Sequence, residues 1–350
     1  MTLYPKLITD ALLMVRYPGN GKNLVEAEMI EDDIRIDGMN VSFSIIFPRN
    51  PDPFAKSVIK AAETAIHHSL GNDVNVSIRQ KSTAPEPQTE EPPVLPGVKH
   101  IIAVSSGKGG VGKSTVACNL AIGLAKMGYR VGLLDTDIFG PSMPKMFQTE
   151  DERPYMTTID GRDLIEPIEK YGVRLLSIGY FVAPDQATLW RGGMACNALK
   201  QLLTEANWGP LDFFIMDTPP GTSDIHLTLI QTLKISGAII VSTPQQVALA
   251  DARKGINMYM NEKVQVPILG LVENMAWFTP EEHPDEKYYI FGRGGGAEMA
   301  ALLGIDLIGE VPLVQSIREG GDSGAPSALG SRPDSLAFLE IARRLAEKLG

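Results

Sequence analysis

From residue 98 onward, short unbroken apolar runs alternate with longer stretches whose apolar positions recur at helical spacing. Runs at 100–104, 131–135, 173–178, 213–217, 238–242, 268–274 and 307–311 read as strands buried on both faces, as in a parallel sheet. Helical spacing is clearest at 247–260 and 336–349, with further stretches at 116–124 and 297–303. Strand and helix in alternation predict an α/β fold, a doubly wound and mostly parallel sheet spanning residues 98–350.

The first part of the chain has another rhythm. Residues 7–15 read as a helix, 24–30 and 40–47 as strands, 53–70 as a helix and 74–78 as a strand. The helix at 53–70 sets Phe54, Val58, Ala62 and Ile66 on one side, and 40–47 alternates as a half-buried strand does. The order α-β-β-α-β predicts a small two-layer α+β domain over residues 1–79. Residues 80–97 are rich in proline and acidic residues and cannot build a core, so they read as a linker.

Composition narrows the function class by exclusion. With 44% hydrophobic and 21% charged residues the chain is an ordinary globule, and its net charge of −10 comes without a basic block. It therefore has no electrostatic footprint for nucleic acid. Two cysteines, Cys118 and Cys196, rule out a disulfide framework. The first residues lack a signal-like apolar core, and no apolar run approaches the ~18 residues of a membrane span, so no membrane partner and a cytoplasmic location are expected.

The chemistry concentrates where the strand at 100–104 ends. Gly107, Lys108, Gly109, Gly110, Val111, Gly112, Lys113, Ser114 and Thr115 follow it and open a helix. G-x-x-x-x-G-K-[ST] between strand and helix is a phosphate-binding loop, because backbone N–H groups can close on phosphate oxygens at a helix N-terminus. Lys113 would reach the β- and γ-phosphates, and the Ser114 hydroxyl would ligate Mg2+. Two other strands end in carboxylates, Asp135 and Asp137 on one and Asp217 on the other, with Gly221 four residues beyond Asp217. Asp217 suits a metal-holding role, and Gly221 would offer a backbone N–H to the γ-phosphate. Lys108 is surplus to an ordinary loop; its side chain leaves the loop and would reach a nucleotide held by a second subunit.

These residues resemble the deviant Walker A motif of the MinD, ParA and nitrogenase-iron-protein group of dimeric ATPases. Residues 135–142, 190–194, 217–224 and 272–275 narrow the likeness to the Mrp/ApbC family of iron–sulfur cluster carrier ATPases, and residues 1–80 resemble the small MIP18-like domain that often precedes it. The resemblance implies ATP and Mg2+ as ligands, a homodimer closed through the nucleotide site, and apoprotein clients or iron–sulfur assembly proteins as partners. Lys108, Lys113 and Asp137 would be catalytic, with Asp137 positioning the attacking water. Ser114 and Asp217 would hold Mg2+, Asn274 would read the adenine edge, and the loop at Pro312 would cover the base.

One departure qualifies the cargo. Family members with a bridging [4Fe–4S] cluster usually carry C-x-x-C a few residues after Glu-Asn-Met, whereas residues 276–286 here contain no cysteine. Cys118 lies inside the helix after the phosphate loop and reads as a small core residue; Cys196 opens a helical stretch and reads as structural, with a cluster ligand as the alternative, so the ligands of any cluster stay open. Glu281, Glu282, His283, Asp285 and Glu286 read as a solvated loop rather than a metal site, and 292–296 as a flexible glycine loop. Two functions follow: an ATPase that binds and transfers iron–sulfur clusters or assists their assembly, or an ATP-gated dimeric switch of the MinD/ParA type that carries no cluster.

Overall fold

The computed structural model describes residues 3–49, 52–82, 94–138, 140–181, 192–280, 282–283 and 285–350. The chain divides into two units, Met1–Glu91 and Pro92–Gly350.

In the first unit, α1 (Pro5–Leu12), β1 (Arg35–Asp37), β2 (Asn40–Phe47), α2 (Ala55–Leu70) and β3 (Asn75–Ser82) form a sheet in the order β1-β2-β3. β2 pairs antiparallel with β1 and parallel with β3. Both helices share one core with the sheet: Ile8, Leu12, Val58 and Ile66 are buried with Phe43, Ile45 and Phe47. The α-β-β-α-β order is as expected, but the first strand is not at 24–30. Asn23 Oδ1 accepts the N–H groups of Val25 (3.1 Å) and Glu26 (2.8 Å), and Glu28 sits at φ 51°, so the segment coils into a turn. This local side-chain bonding overrides the apolar pattern. α1 likewise stops at Leu12 rather than 15, because the Val15 carbonyl is drawn into pairing with Leu24 N–H (3.0 Å). β3 runs on to Ser82, opposite Phe47, into the stretch read as linker; the rest of that stretch from 83 to 93 lies outside the described residues.

The second unit runs β4 (Val98–Ser105), α3 (Lys113–Lys126), β5 (Val131–Asp135), α4 (Met143–Met146), β6 (Tyr155–Ile159), β7 (Arg162–Glu166), β8 (Ile168–Lys170) and β9 (Val173–Ser177). It continues with α5 (Gly192–Thr204), β10 (Leu211–Asp217), α6 (Asp224–Thr232), β11 (Gly237–Ser242), α7 (Gln246–Met260) and β12 (Ile268–Phe278). α8 (Gly295–Leu303), β13 (Leu307–Leu313), α9 (Gln315–Ser323) and α10 (Pro333–Leu349) complete it. Among the described residues eight strands form one sheet in the order β13-β12-β11-β4-β10-β5-β9-β8, parallel throughout except for β8 on the edge. Along β4, Ile102 and Val104 enter the core shared with α3 and α10, while Ile101 and Ala103 enter the core shared with α5, α6 and α7. Burial on both faces is why the strands read as unbroken apolar runs.

In this unit β6, β7 and the short edge strand β8 escaped the sequence pattern. β6 and β7 form an exposed ribbon turned by Asp160 (φ 51°) and Gly161 (φ 76°). Asp-Gly between alternating residues is a two-residue hairpin signal, weak here because neither face is fully buried. Among the described residues no helix is long and apolar enough to cross a membrane.

Candidate functional site

Parallel register sets the site. Asp217 at the end of β10 lies opposite Asp135 at the end of β5 and Val104 near the end of β4, so two carboxylates meet the loop leaving β4. Ligands bind at such carboxyl ends in open α/β sheets.

That loop is shaped by approach as much as by conformation. A Cβ on Gly107 would lie 2.1 Å from the Asp251 carbonyl carbon, because α7 passes directly behind the loop. Gly112 holds φ +84°, and a Cβ there would lie 2.1 Å from Asn274 Nδ2. Asn274, buried within β12, donates from Nδ2 to the Val111 carbonyl (2.8 Å) and so braces the loop from the far side. Lys108, Gly109 and Gly110 are exposed, and the Ser106 hydroxyl ties back to the Lys108 carbonyl (3.0 Å). The Lys108 side chain is thus free to leave the loop, as its position in the motif implies.

Lys113 points the other way. Only 6% exposed, its Nζ lies 2.5 Å from Asp217 Oδ1, 3.2 Å from Ser114 Oγ and 4.0 Å from Asp137 Oδ2. Burial pushes the Asp217 carboxyl above its ordinary value, and Lys113 with the Ser114 hydroxyl opposes that shift. Asp217 Oδ2 is buried without a hydrogen-bond partner among the described residues. An orphaned carboxylate oxygen beside a serine hydroxyl is a donor set suited to a hard divalent cation. Asp135 acts on the backbone instead, since its oxygens accept from the N–H groups of Asp137, Ser142 and Met143 (each 3.1 Å) and from Ser177 Oγ (3.0 Å). It thereby holds the turn that presents Asp137 beside Lys113. Burial, with Asp217 as neighbour, pushes it up to about 7.

Two adjoining hollows open here. One, about 290 Å3, is bounded by Gly110, Lys113, Ser114, Asp137 and Pro220. The other, about 370 Å3, is bounded by Asn274, Met275, Pro312, Ile317, Arg318 and Gly321. Both include Gly112, Thr115, Ser142 and Met146, so phosphate and base ends would share a wall. Asn274 and Pro312 are therefore brought to the wider hollow, while Lys108 stands outside it. Gly221 N–H donates to the Ser106 carbonyl (2.8 Å), a bond that contact with phosphate would have to open.

The cysteines are not brought together with this site. Cys118 is fully buried in α3, and burial pushes its thiol well above the ordinary value, which disfavours the thiolate. Cys196, half-buried on α5, accepts a hydrogen bond from Thr228 Oγ1 (3.1 Å). Trp190 and Arg191 lie outside the described residues. In the acidic stretch after β12, exposed His283 lies 3.7 Å from Glu286; Glu281 lies outside the described residues, and no metal-holding group of three such side chains occurs among them. The glycine run at 292–296 is not a free loop at its end: Gly296 N–H donates to buried Glu273 Oε2 (2.5 Å), which seats the start of α8. Sequence reading missed this role of Glu273, and also buried His226 on α6; the capping spacing from Ser223 to His226 was the available signal.

Comparison with known proteins agrees with this geometry. Residues 97–349 match the ParA family, NUBPL iron-transfer P-loop NTPase, and residues 6–78 match the iron-sulfur cluster assembly protein family. The iron-sulfur cluster carrier protein of Synechocystis is 41% identical over 353 residues, covering 98% of both chains. That of Escherichia coli K12 is 49% identical over 257 residues, 73% of this chain and 68% of its own. A solved nucleotide-binding protein from Archaeoglobus fulgidus, in complex with ADP, superposes with TM-score 0.59 at 36% identity, covering 70% of this chain and 93% of that one.

Proposed function

The chain belongs to the NUBPL iron-transfer P-loop NTPase family, and we propose that it is a cytoplasmic, Mg2+-dependent ATPase that binds and transfers iron–sulfur clusters to apoproteins, or assists their assembly. The observation that carries the ATPase reading is that Lys113 and Asp137 line the hollow over the phosphate loop, with buried Asp217 paired to Lys113. The cargo reading is supported by the relatives' names and by both halves of the chain matching iron–sulfur families.

ATP would lie with its base in the hollow walled by Asn274 and Pro312 and its phosphates over residues 107–115. Ser114 and Asp217 are the residues that would hold Mg2+, which supplies charge neutralisation at the phosphates. Lys113 would turn from Asp217 toward the β- and γ-phosphates. Asp137, fixed by the turn that Asp135 organises, would orient the attacking water. Lys108, exposed and outside its own hollow, would stabilise the transferred phosphoryl group of a partner subunit in a homodimer.

The cluster is cargo, and the chain is sparing with thiols. Cys196 is the accessible one of its two cysteines, so two protomers offer two such thiols. Anaerobic reconstitution with iron and sulfide tests carriage. Cluster absorption that survives Cys118→Ser and vanishes in Cys196→Ser supports direct carriage. Absence of any cluster in the wild type favours the ATP-gated switch instead, a reading that the missing C-x-x-C after Asn274 supports.

A further inference from the structure

Four side chains beside the nucleotide site are buried, polar and without a role in the chemistry above. Ser105, Thr218, His226 and Tyr259 are each about 1% exposed and come from β4, the loop after β10, α6 and α7. His226 is the third residue of α6 and accepts Ser223 N–H at Nδ1 (3.2 Å), completing a reciprocal cap. Its other nitrogen, Nε2, lies 3.4 Å from Ser105 Oγ. The Tyr259 hydroxyl adjoins Ser105 and Thr218. Thr218 Oγ1 donates to the Val104 carbonyl (3.0 Å).

Ser105 Oγ accepts from His226 Nε2–H. Nδ1 is the acceptor of Ser223 N–H, so the ring must be the neutral Nε2–H tautomer. Ser223 is thereby tied to Ser105 at the end of β4, and Thr218 is tied to Val104 on the same strand.

We propose that the hydrogen bonds from Ser223 through His226 to Ser105, together with that from Thr218 to Val104, fix the loop that carries Gly221 against the start of the phosphate loop, making His226 a positioning residue. Both ends of the loop, Thr218 and Ser223, are thus tied to β4, while Pro220 and Thr222 between them are exposed. Ser105 immediately precedes Ser106, whose carbonyl receives Gly221 N–H. The hydrogen bonds therefore set where the Gly221 amide sits relative to the phosphate hollow. Their effect on turnover rests on the ATPase reading; their effect on the loop does not.

Two variants test it on the full chain. His226→Gln keeps an acceptor for Ser223 N–H at the cap but gives up Ser105; Ser105→Ala keeps the cap and removes the partner of Nε2. Amide hydrogen exchange at Gly221 and Thr222 should quicken about tenfold in both, while kcat for ATP falls about tenfold and KM stays within twofold. Imidazole 15N shifts of the wild type should report the Nε2–H tautomer. Unchanged exchange in both variants, or an Nδ1–H tautomer, overturns the proposal. Faster exchange together with a wild type that hydrolyses no ATP upholds the loop tie and removes the ATPase reading.

Discussion

Lys113 Nζ sits 2.5 Å from Asp217 Oδ1, and both side chains are buried. Neither group is solvated, so each depends on the other for its charge, and Asp217 keeps its second oxygen unpaired among the described residues. On the proposed reading Asp217 would help to hold a divalent cation and Lys113 would meet the phosphates, so the pair would part when nucleotide binds.

Lys113→Ala should lower stability by about 3 kcal/mol, because removing one partner leaves a buried carboxylate uncompensated. Asp217→Asn in addition should restore part of that loss. Urea unfolding of the two single variants and the double variant measures the coupling; strictly additive losses would remove the claim that the pair is interdependent.

Lys108→Ala should retain ATP binding and lose turnover that depends on protein concentration. The side chain is exposed and lies outside its own hollow, so the effect must be exerted on a partner's nucleotide. Wild-type turnover per subunit that stays constant on dilution, or full activity in the variant, counts against it.

Gly112→Ala meets two obstacles at once, φ +84° and an Asn274 nitrogen 2.1 Å from the new Cβ. The conformation alone costs about 1–2 kcal/mol. Nucleotide affinity should fall at least tenfold by calorimetry, and Asn274→Ala in the same chain should recover part of the lost stability by removing the clash.

Gly321→Phe probes the wider hollow. A Cβ at Gly321 meets nothing within 4 Å, yet the residue lines the hollow assigned to the base. The melting temperature should hold while ADP binding weakens at least tenfold. Undiminished ADP binding would place the base elsewhere.

Acid should destabilise the fold through His226. Burial, and then the charge of Lys113, depress it from the usual 6.5 to about 4. Between those values the unfolded chain binds a proton that the folded chain does not, so stability is full above pH 6.5 and falls as pH drops toward 4. The full contribution is about 3 kcal/mol. Denaturation between pH 4.5 and 7.5 should show this slope in the wild type and a shallower one in His226→Gln.

The phosphate loop was legible in residues 107–115 because its chemistry is local: a strand end, glycines and a helix N-terminus adjoin in sequence. The parallel sheet was legible for a similar reason, since burial on both faces leaves unbroken apolar runs. Where burial is incomplete the pattern weakened, as in the exposed ribbon of β6 and β7. Where side chains bond their own backbone it misled, as at Asn23, which turns residues 24–30 away from a strand.

What the sequence determined by itself was the set of groups able to bind a nucleotide, because motif spacing constrains backbone geometry directly. Tertiary structure decided which of them meet. Register alone brings Asp135 and Asp217 side by side from strands about 80 residues apart in sequence, and only packing wedges Asn274 against Gly112 and sets His226 against Ser105 behind the loop. Such contacts depend on how helices seat on the sheet, and no periodicity along one segment encodes the position of another. Residues 107–115 carry the pattern of a phosphate cradle, and the structure sets them between the end of β4 and the N-terminus of α3. The fold adds that Lys113 rests on Asp217 rather than in the cradle, while Lys108 alone among the loop's charges faces outward.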